Sequence, residues 1–153
     1  MVSRSHLTDE RNTHLVTKPR IVLVNMRGTE LDSLADLLEM WNFTVLRIDE
    51  AKTLSVLLDD ATPLIVIFQF REFSESEYEL LASIRKTAPD LPILALSSFI
   101  SVRDTFRIAK SGASEYLVQP YSPEDLKRMI AKYLEIASAE RIGNREARTL
   151  KSQ

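Results

Sequence analysis

The side chains that most often perform catalysis or bind metals are scarce in this chain of 153 residues. It has no cysteine and two histidines, His6 and His14, which lie in a polar amino-terminal segment. Without cysteine there can be no disulfide, no thiolate metal site and no thiol nucleophile. Both histidines lie outside the hydrophobically patterned part of the chain, which argues against a histidine-based triad or metal site within a fold.

Five apolar segments alternate with five amphipathic segments along the chain. The apolar segments are rich in β-branched residues, as in buried strands, and the amphipathic ones repeat apolar residues at helical spacing. The predicted strands are 20–24, 43–48, 63–68, 92–96 and 115–118. The predicted helices are 29–41, 49–60, 75–87, 101–111 and 123 to about 143. This alternation predicts a doubly wound α/β fold with a parallel sheet.

Local signals mark where several of these helices begin and end. Thr29 and Asp32 have the spacing of a capping box, and so do Ser74 and Glu77. Gly112 follows the fourth helical segment, where glycine commonly ends a helix in the left-handed conformation.

The charge distribution divides the chain into three parts. The formal net charge is −2, but residues 1–20 and 140–153 each hold four basic and two acidic residues, which leaves −6 for 21–139. Both ends lack a hydrophobic period, so we expect flexible arms at 1–18 and 140–153 around a domain at 19–139. The alternative is that the arms are docking segments. No signal segment and no apolar run of membrane-spanning length is visible, so we expect a cytoplasmic protein without membrane contact.

In a doubly wound fold, functional groups lie beyond the carboxyl ends of the strands. In this chain Asn25 and Met26 follow the first strand, Gln69 the third, Ser97 the fourth and Gln119 the fifth. These residues offer amides, a hydroxyl and a thioether, and none of them carries a charge.

Three sequence blocks resemble the receiver domains of response regulators. Residues 111–130, SGASEYLVQPYSPEDLKRMI, are similar to the receiver pattern A-G-A-x-x-Y-L-x-K-P-F-x-x-x-E-L. APDLPILALSS at 88–98 and ELLASIRK at 79–86 also fit, without insertions. The resemblance spans about 19–137 and implies the flavodoxin-like, CheY-like (βα)5 fold and a role in bacterial two-component (phosphorelay) signal transduction.

The resemblance also implies which residues stand at the phosphorylation site. A typical receiver has an acidic pair that holds Mg²⁺, an aspartate that accepts the phosphoryl group and a lysine that pairs with it. This chain has Asn25 and Met26 at the acidic pair, Gln69 at the acceptor and Gln119 at the lysine. A glutamine amide is not the ionised nucleophile that aspartyl phosphate formation needs, and Mg²⁺ prefers carboxylate oxygens.

The replacements remove both signs of charge from the site, so we expect a pseudo-receiver that acts without phosphorylation, catalysis, metal or cofactor. The phosphoryl-binding hydroxyl and the aromatic switch residue of receivers are retained as Ser97 and Tyr116. Without an acceptor their trigger is missing, so we interpret both as structural. The loop at 70–77, FREFSESE, also lacks the proline or glycine usual in receivers.

Recognition of a protein partner is the function that remains. Three aromatic residues around the former active site form a candidate partner-binding rim, unless they only cover the end of the sheet: Phe73, Phe99 and Tyr121. Receivers also associate through the face of the fourth helix, fifth strand and fifth helix, where this chain could form a homodimer or bind a partner. On that helix we single out Arg103, Arg107 and Lys110.

Three alternatives remain open at this stage. A non-standard carboxylate, of which Glu72 is nearest in sequence to Gln69, could accept phosphate. The turn at 25–29 could hold a flavin or nucleotide phosphate, although it lacks a glycine-rich loop. The basic arms could bind nucleic acid, which their acidic residues make a weak expectation. Since no segment follows residue 153, we expect no output domain, so that the output comes through a partner or the arms.

Overall fold

Five strands and five helices alternate in the part of the chain that the structure, a computed structural model, describes. It describes residues 18–98 and 101–151, with 141–151 by their backbone alone. The strands are β1 (Arg20–Val24), β2 (Thr44–Ile48), β3 (Ile65–Gln69), β4 (Ile93–Ser97) and β5 (Glu115–Val118). The helices are α1 (Gly28–Met40), α2 (Ala51–Asp60), α3 (Glu75–Thr87), α4 (Val102–Ser111) and α5 (Pro123–Lys151).

The strands form one parallel sheet in the order β2-β1-β3-β4-β5. This order confirms the predicted doubly wound, flavodoxin-like fold, in which the connections change direction between β1 and β3. The carboxyl ends of these two strands therefore diverge into a crevice. Asn25 follows β1 and Gln69 ends β3, so both residues lie at that crevice.

The core consists of two apolar layers, one on each face of the sheet. Every residue of β3 and β4 is buried, because helices cover both faces. On one face Leu54 of α2 and Leu81 of α3 pack with Ile108 of α4. On the other face Leu34 of α1 packs with Leu126 of α5. The two layers hold the strand ends, and the loops that follow them, in fixed positions.

Two of the predicted helix signals have the geometry that the sequence indicates, and one does not. Ser74 and Glu77 form a complete capping box at α3, and Gly112 ends α4 with φ 128°. The prediction for Thr29 is wrong, because α1 begins at Gly28 and the preceding Arg27 makes no side-chain cap. The Arg27 carbonyl already accepts a hydrogen bond from the backbone N–H of Leu31, so the helical ladder starts before Thr29.

The last helix is longer than predicted. The sequence indicated an end near Gly143 and a flexible tail at 140–153, whereas α5 continues to Lys151. A single glycine inside a helix costs only about 1 kcal/mol relative to alanine, and no proline follows it to break the helix. The arm at 1–18 lies outside the described residues except for Lys18.

None of the described helices combines the length and the apolar character needed to cross a membrane.

Candidate functional site

Two glutamines from different strands meet at the carboxyl end of the sheet. Gln69 ends β3 and is 4% exposed, and its Nε2 donates a hydrogen bond to Oε1 of Gln119 at 2.8 Å. The same nitrogen donates to the carbonyl of Phe70 at 3.0 Å. Gln69 Oε1 is buried and has no hydrogen-bond partner among the described residues. A neutral amide-to-amide hydrogen bond thus joins the two residues that the sequence resemblance aligns with the acceptor and the lysine.

Asn25 connects this pair to the loop on the other side of the crevice. Its backbone is left-handed, with φ 62°, a conformation that asparagine adopts more readily than most residues. Its Nδ2 donates to the carbonyl of Gln69 and to Oε2 of Glu77, both at 2.7 Å. Asn25 therefore acts as a hydrogen-bond donor between β3 and α3.

Glu77 supplies the buried carboxylate of this site. It is 8% exposed, and its two oxygens accept hydrogen bonds from the backbone N–H groups of Arg71, Glu72 and Ser74, at 2.8, 3.1 and 3.0 Å. With the contact from Asn25, four N–H groups converge on one carboxylate. Its charge is balanced by these fixed dipoles, and no cationic side chain pairs with it within the described part of the chain.

Arg71 lies across the mouth of the crevice. Its Nε donates to the carbonyl of Asn25 at 3.1 Å, and its guanidinium forms an ion pair with Glu30 of α1 at 3.4 Å. Both side chains of the pair are about one-third exposed, so solvent weakens the interaction. The loop after β3 is therefore attached to the end of β1 and to α1.

Met26 does not belong to this site, contrary to its predicted position there. Its side chain is fully buried in the apolar layer that includes Leu34 and Leu126. Ser97 does lie at the site and is 2% exposed, and its carbonyl accepts a hydrogen bond from the Gln119 N–H at 2.6 Å.

The residues at this site do not fit Mg²⁺. This hard cation takes near-octahedral oxygen ligands that usually include carboxylates. Asn25 presents its nitrogen to the site and Met26 lies in the core, while both oxygens of Glu77 already accept hydrogen bonds. Within the described residues there is also no group of three or more His, Asp or Glu side chains with metal-binding geometry.

Phe73 and Tyr121, the two described residues of the predicted rim, lie in different loops and pack against the apolar layers on opposite faces of the sheet. Phe73 is half-buried and stacks on the buried Phe70, with ring centroids 5.7 Å apart. Tyr121 is also half-buried, and burial raises the pKa of its hydroxyl, with a further contribution from the negative charge of Glu30. Phe99 lies outside the described residues. The rings of Phe73 and Tyr121 thus combine a buried side with an exposed one.

The face of α4, β5 and α5 is more apolar than the sequence indicated. Val102 and Phe106, one helical turn apart on α4, are 89% and 69% exposed. Tyr116 on β5 is 45% exposed and lines a groove of about 370 Å³ with Met129 of α5. We call these four residues the α4–β5 face.

The three basic residues of α4 do not act together on this face. Arg107 lies over the ring of Tyr78, 4.0 Å from its centroid, and forms an ion pair with Glu75 of α3. It therefore joins α4 to α3 instead of facing β5. Arg103 and Lys110 are exposed.

Comparison with known proteins identifies the fold. No family model matches the chain. The chain is 27% identical over 120 residues to the "Probable transcriptional regulator ycf27" of Guillardia theta. This match covers 78% of this chain and 47% of that protein. The chain thus spans about half the length of this relative, and about a quarter of the alginate biosynthesis transcriptional regulatory protein AlgB of Pseudomonas putida.

Two solved structures have the same architecture. One is a CheY-like response-regulator receiver domain protein from Methanospirillum hungatei, with a TM-score of 0.68, 22% identity, and 81% of this chain and 99% of that chain covered. The other is a CheY-like protein (tadZ) from Pseudomonas aeruginosa, with a TM-score of 0.67, 17% identity, and 76% and 99% covered. The chain has the CheY-like receiver fold and is similar in sequence to response regulators.

Sequence reasoning identified the two glutamines and Asn25 but missed two members of the site. Glu77 was predicted only as the partner of Ser74 in a helix cap, and Arg71 was not singled out. The composition of the loop at 70–77 could have indicated the role of Glu77. The loop lacks glycine and proline, so side-chain contacts have to hold it. No sequence signal indicates that Arg71 crosses to Asn25.

Proposed function

We propose that residues 19–139 are a receiver-like, cytoplasmic protein-interaction module of bacterial signal transduction that works without phosphorylation and without catalysis. The observation that carries this proposal is the hydrogen bond between Gln69 and Gln119, because it joins two neutral amides where receivers place a nucleophilic carboxylate and a lysine. A neutral amide does not supply the ionised nucleophile of phosphoryl transfer.

The surroundings of the glutamine pair support the same proposal. Asn25 directs its amide nitrogen inward, and Met26 is withdrawn into the core, so neither replaces an acidic ligand. The carboxylate of Glu77, which Asn25 connects to the site, is saturated by backbone and side-chain donors. A carboxylate stabilised in this way is a weaker nucleophile, because attack on phosphorus would require it to give up these hydrogen bonds.

The α4–β5 face is the surface that we propose for association, with a second copy of the chain as its occupant. Val102 and Phe106 expose apolar side chains on α4, the helix whose Ala109 lines the groove together with Tyr116. Exposed Arg103 and Lys110 on α4, and acidic residues in the first turn of α5, would complement each other across a two-fold axis. The rim around Phe73 and Tyr121 remains available for a different partner.

Incubation with a small phosphodonor and Mg²⁺, followed by intact-mass measurement, tests the proposal. A phosphorylatable receiver treated in parallel shows that the reagent is active. We expect no adduct of about 80 Da on this chain. A stable adduct would overturn phosphorylation independence, and peptide mapping would then show whether Glu72, Glu77 or another residue is the acceptor.

A further inference from the structure

The carboxylate of Glu77 makes more contacts than a helix cap requires. A capping box joins the Ser74 hydroxyl to the Glu77 N–H and the Glu77 carboxylate to the Ser74 N–H, and both contacts are present. The carboxylate additionally accepts from the N–H groups of Arg71 and Glu72 and from Asn25 Nδ2. These three contacts connect α3 to the loop after β3 and to the turn after β1.

Converging N–H groups of this kind form an anion-binding concavity. Hydrogen bonds to an ionised acceptor are about twice as strong as neutral ones, so the carboxylate holds the loop firmly. The loop needs such support, because Phe73 has φ 53°, in the left-handed region that is costly for a residue with a bulky side chain. Phe73 is also the aromatic residue that this loop contributes to the rim.

We propose that Glu77 is a built-in anion that fixes the loop at 70–74 in a single conformation, so that the rim at Phe73 takes its shape without a bound phosphoryl group. The role of the rim in recognition rests on the proposed function, whereas the fixation of the loop by the carboxylate does not. The concavity is an anion site occupied by the chain itself. It follows that removal of the side chain leaves a site for a small external carboxylate.

Hydrogen exchange of the backbone amides of Arg71 and Glu72 tests the proposal directly. The Arg71 N–H donates to Oε2 of Glu77 and the Glu72 N–H to Oε1, and in Glu77→Gln an NH2 group replaces one of these two oxygens, so one of the two amides loses its acceptor. We expect the exchange of that amide to be about 10- to 100-fold faster than in the wild type. Ser74→Ala is the matched control, because it removes the capping hydroxyl, whose contact with Glu77 Oε1 is long at 3.4 Å, and leaves the carboxylate and its N–H donors in place. Its Arg71 and Glu72 amides should exchange at the wild-type rate.

Chemical rescue separates an anion site from a merely structural side chain. Formate should restore slow exchange of the Arg71 and Glu72 amides in Glu77→Ala, whereas chloride at equal ionic strength should not. Formate should leave the exchange rates of the wild type unchanged. If Glu77→Ala does not fold, the comparison of Glu77→Gln with Ser74→Ala still decides the proposal. Unchanged exchange at Arg71 and Glu72 in Glu77→Gln, equal acceleration in Ser74→Ala, or a folded Glu77→Ala without formate rescue would each overturn it. Phosphorylation of a wild type whose loop stays protected would instead overturn the proposed function alone.

Discussion

The Nε2 atom of Gln69 lies 2.8 Å from the Oε1 atom of Gln119, and this hydrogen bond joins the ends of β3 and β5 across β4. Gln119 is also attached to β4 through the hydrogen bond from its N–H to the carbonyl of Ser97. The three strand ends are therefore held together by uncharged groups. The glutamine pair itself contributes no charge between β3 and β5, which is the basis of the proposed independence from phosphorylation.

Substitution of Gln119 by leucine should destabilise the fold. Leucine has neither a donor nor an acceptor in its side chain, so Gln69 Nε2 loses the oxygen to which it donates and the buried Gln69 Oε1 gains no partner. We expect a loss of about 1–3 kcal/mol in the free energy of unfolding. Urea unfolding followed by the fluorescence of Trp41, the single tryptophan of the chain, measures it. Gln119→Glu keeps acceptor oxygens and should lose less, so equal losses in the two variants would contradict the role of this hydrogen bond.

Phe106→Ser should weaken self-association and leave the fold intact. The ring is 69% exposed on the α4–β5 face, so its removal should change the free energy of unfolding by no more than about 0.5 kcal/mol. We expect the dissociation constant of the dimer to rise about tenfold or more, measured by sedimentation equilibrium. Met40→Ser, at an equally exposed position on α1, is the control and should associate like the wild type. A wild type that stays monomeric at every concentration would refute the dimer.

Gly112→Ala should destabilise the chain more than Gly28→Ala. Both glycines have positive φ, but a Cβ at position 112 would lie 2.6 Å from the Cβ of Arg85, whereas position 28 is open. Arg85 cannot easily move, because it donates two hydrogen bonds to the Gly112 carbonyl. We expect the clash to add about 1–3 kcal/mol to the cost of Gly112→Ala, measured by thermal or urea unfolding. Equal costs at the two positions would show that Arg85 adjusts freely.

Tyr121→Phe should reduce the loss of stability at alkaline pH. Burial, followed by the charge of Glu30, raises the pKa of Tyr121 in the folded state above its ordinary value of 10.0. The neutral hydroxyl favours the fold, so its contribution is complete below pH 10 and is lost as the pH rises from there through the folded-state pKa. Urea midpoints of wild type and variant, compared at neutral pH and above pH 10, should show the smaller decrease in the variant. Equal decreases of the urea midpoint in the two proteins would contradict the raised pKa of Tyr121.

The fold could be predicted from the sequence because each strand carries its own signal. Buried parallel strands read as runs of Val, Ile and Leu, and the intervening helices have a clear apolar period. The end of α5 was mispredicted because a single interior glycine, Gly143, resembles a helix stop. The start of α1 was mispredicted because the Arg27 carbonyl begins the helical ladder before Thr29, which no local pattern indicates.

The site could be predicted only in part, because its geometry depends on backbone turns and long-range contacts. The positions of the amides at 69 and 119 follow from alignment with the receiver pattern. Their hydrogen bond can form because the carboxyl ends of parallel strands meet at the same edge of the sheet. Met26 is fully buried and the backbone of Asn25 before it is left-handed, and the sequence reveals neither feature. The second role of Glu77 depends in part on a donor 52 positions away, the Nδ2 of Asn25, which is well beyond the range of a capping motif.

The most direct test of the central claim is the intact mass of Gln69→Asp after incubation with a small phosphodonor and Mg²⁺. This substitution restores the acceptor carboxylate alone, while Gln119 still provides no cation and Asn25 no acidic ligand. If the site has lost the electrostatics of both signs, as we propose, the variant stays unmodified and folded. Efficient formation of an adduct of about 80 Da would contradict this account, because it would show that the remaining residues still support phosphoryl transfer.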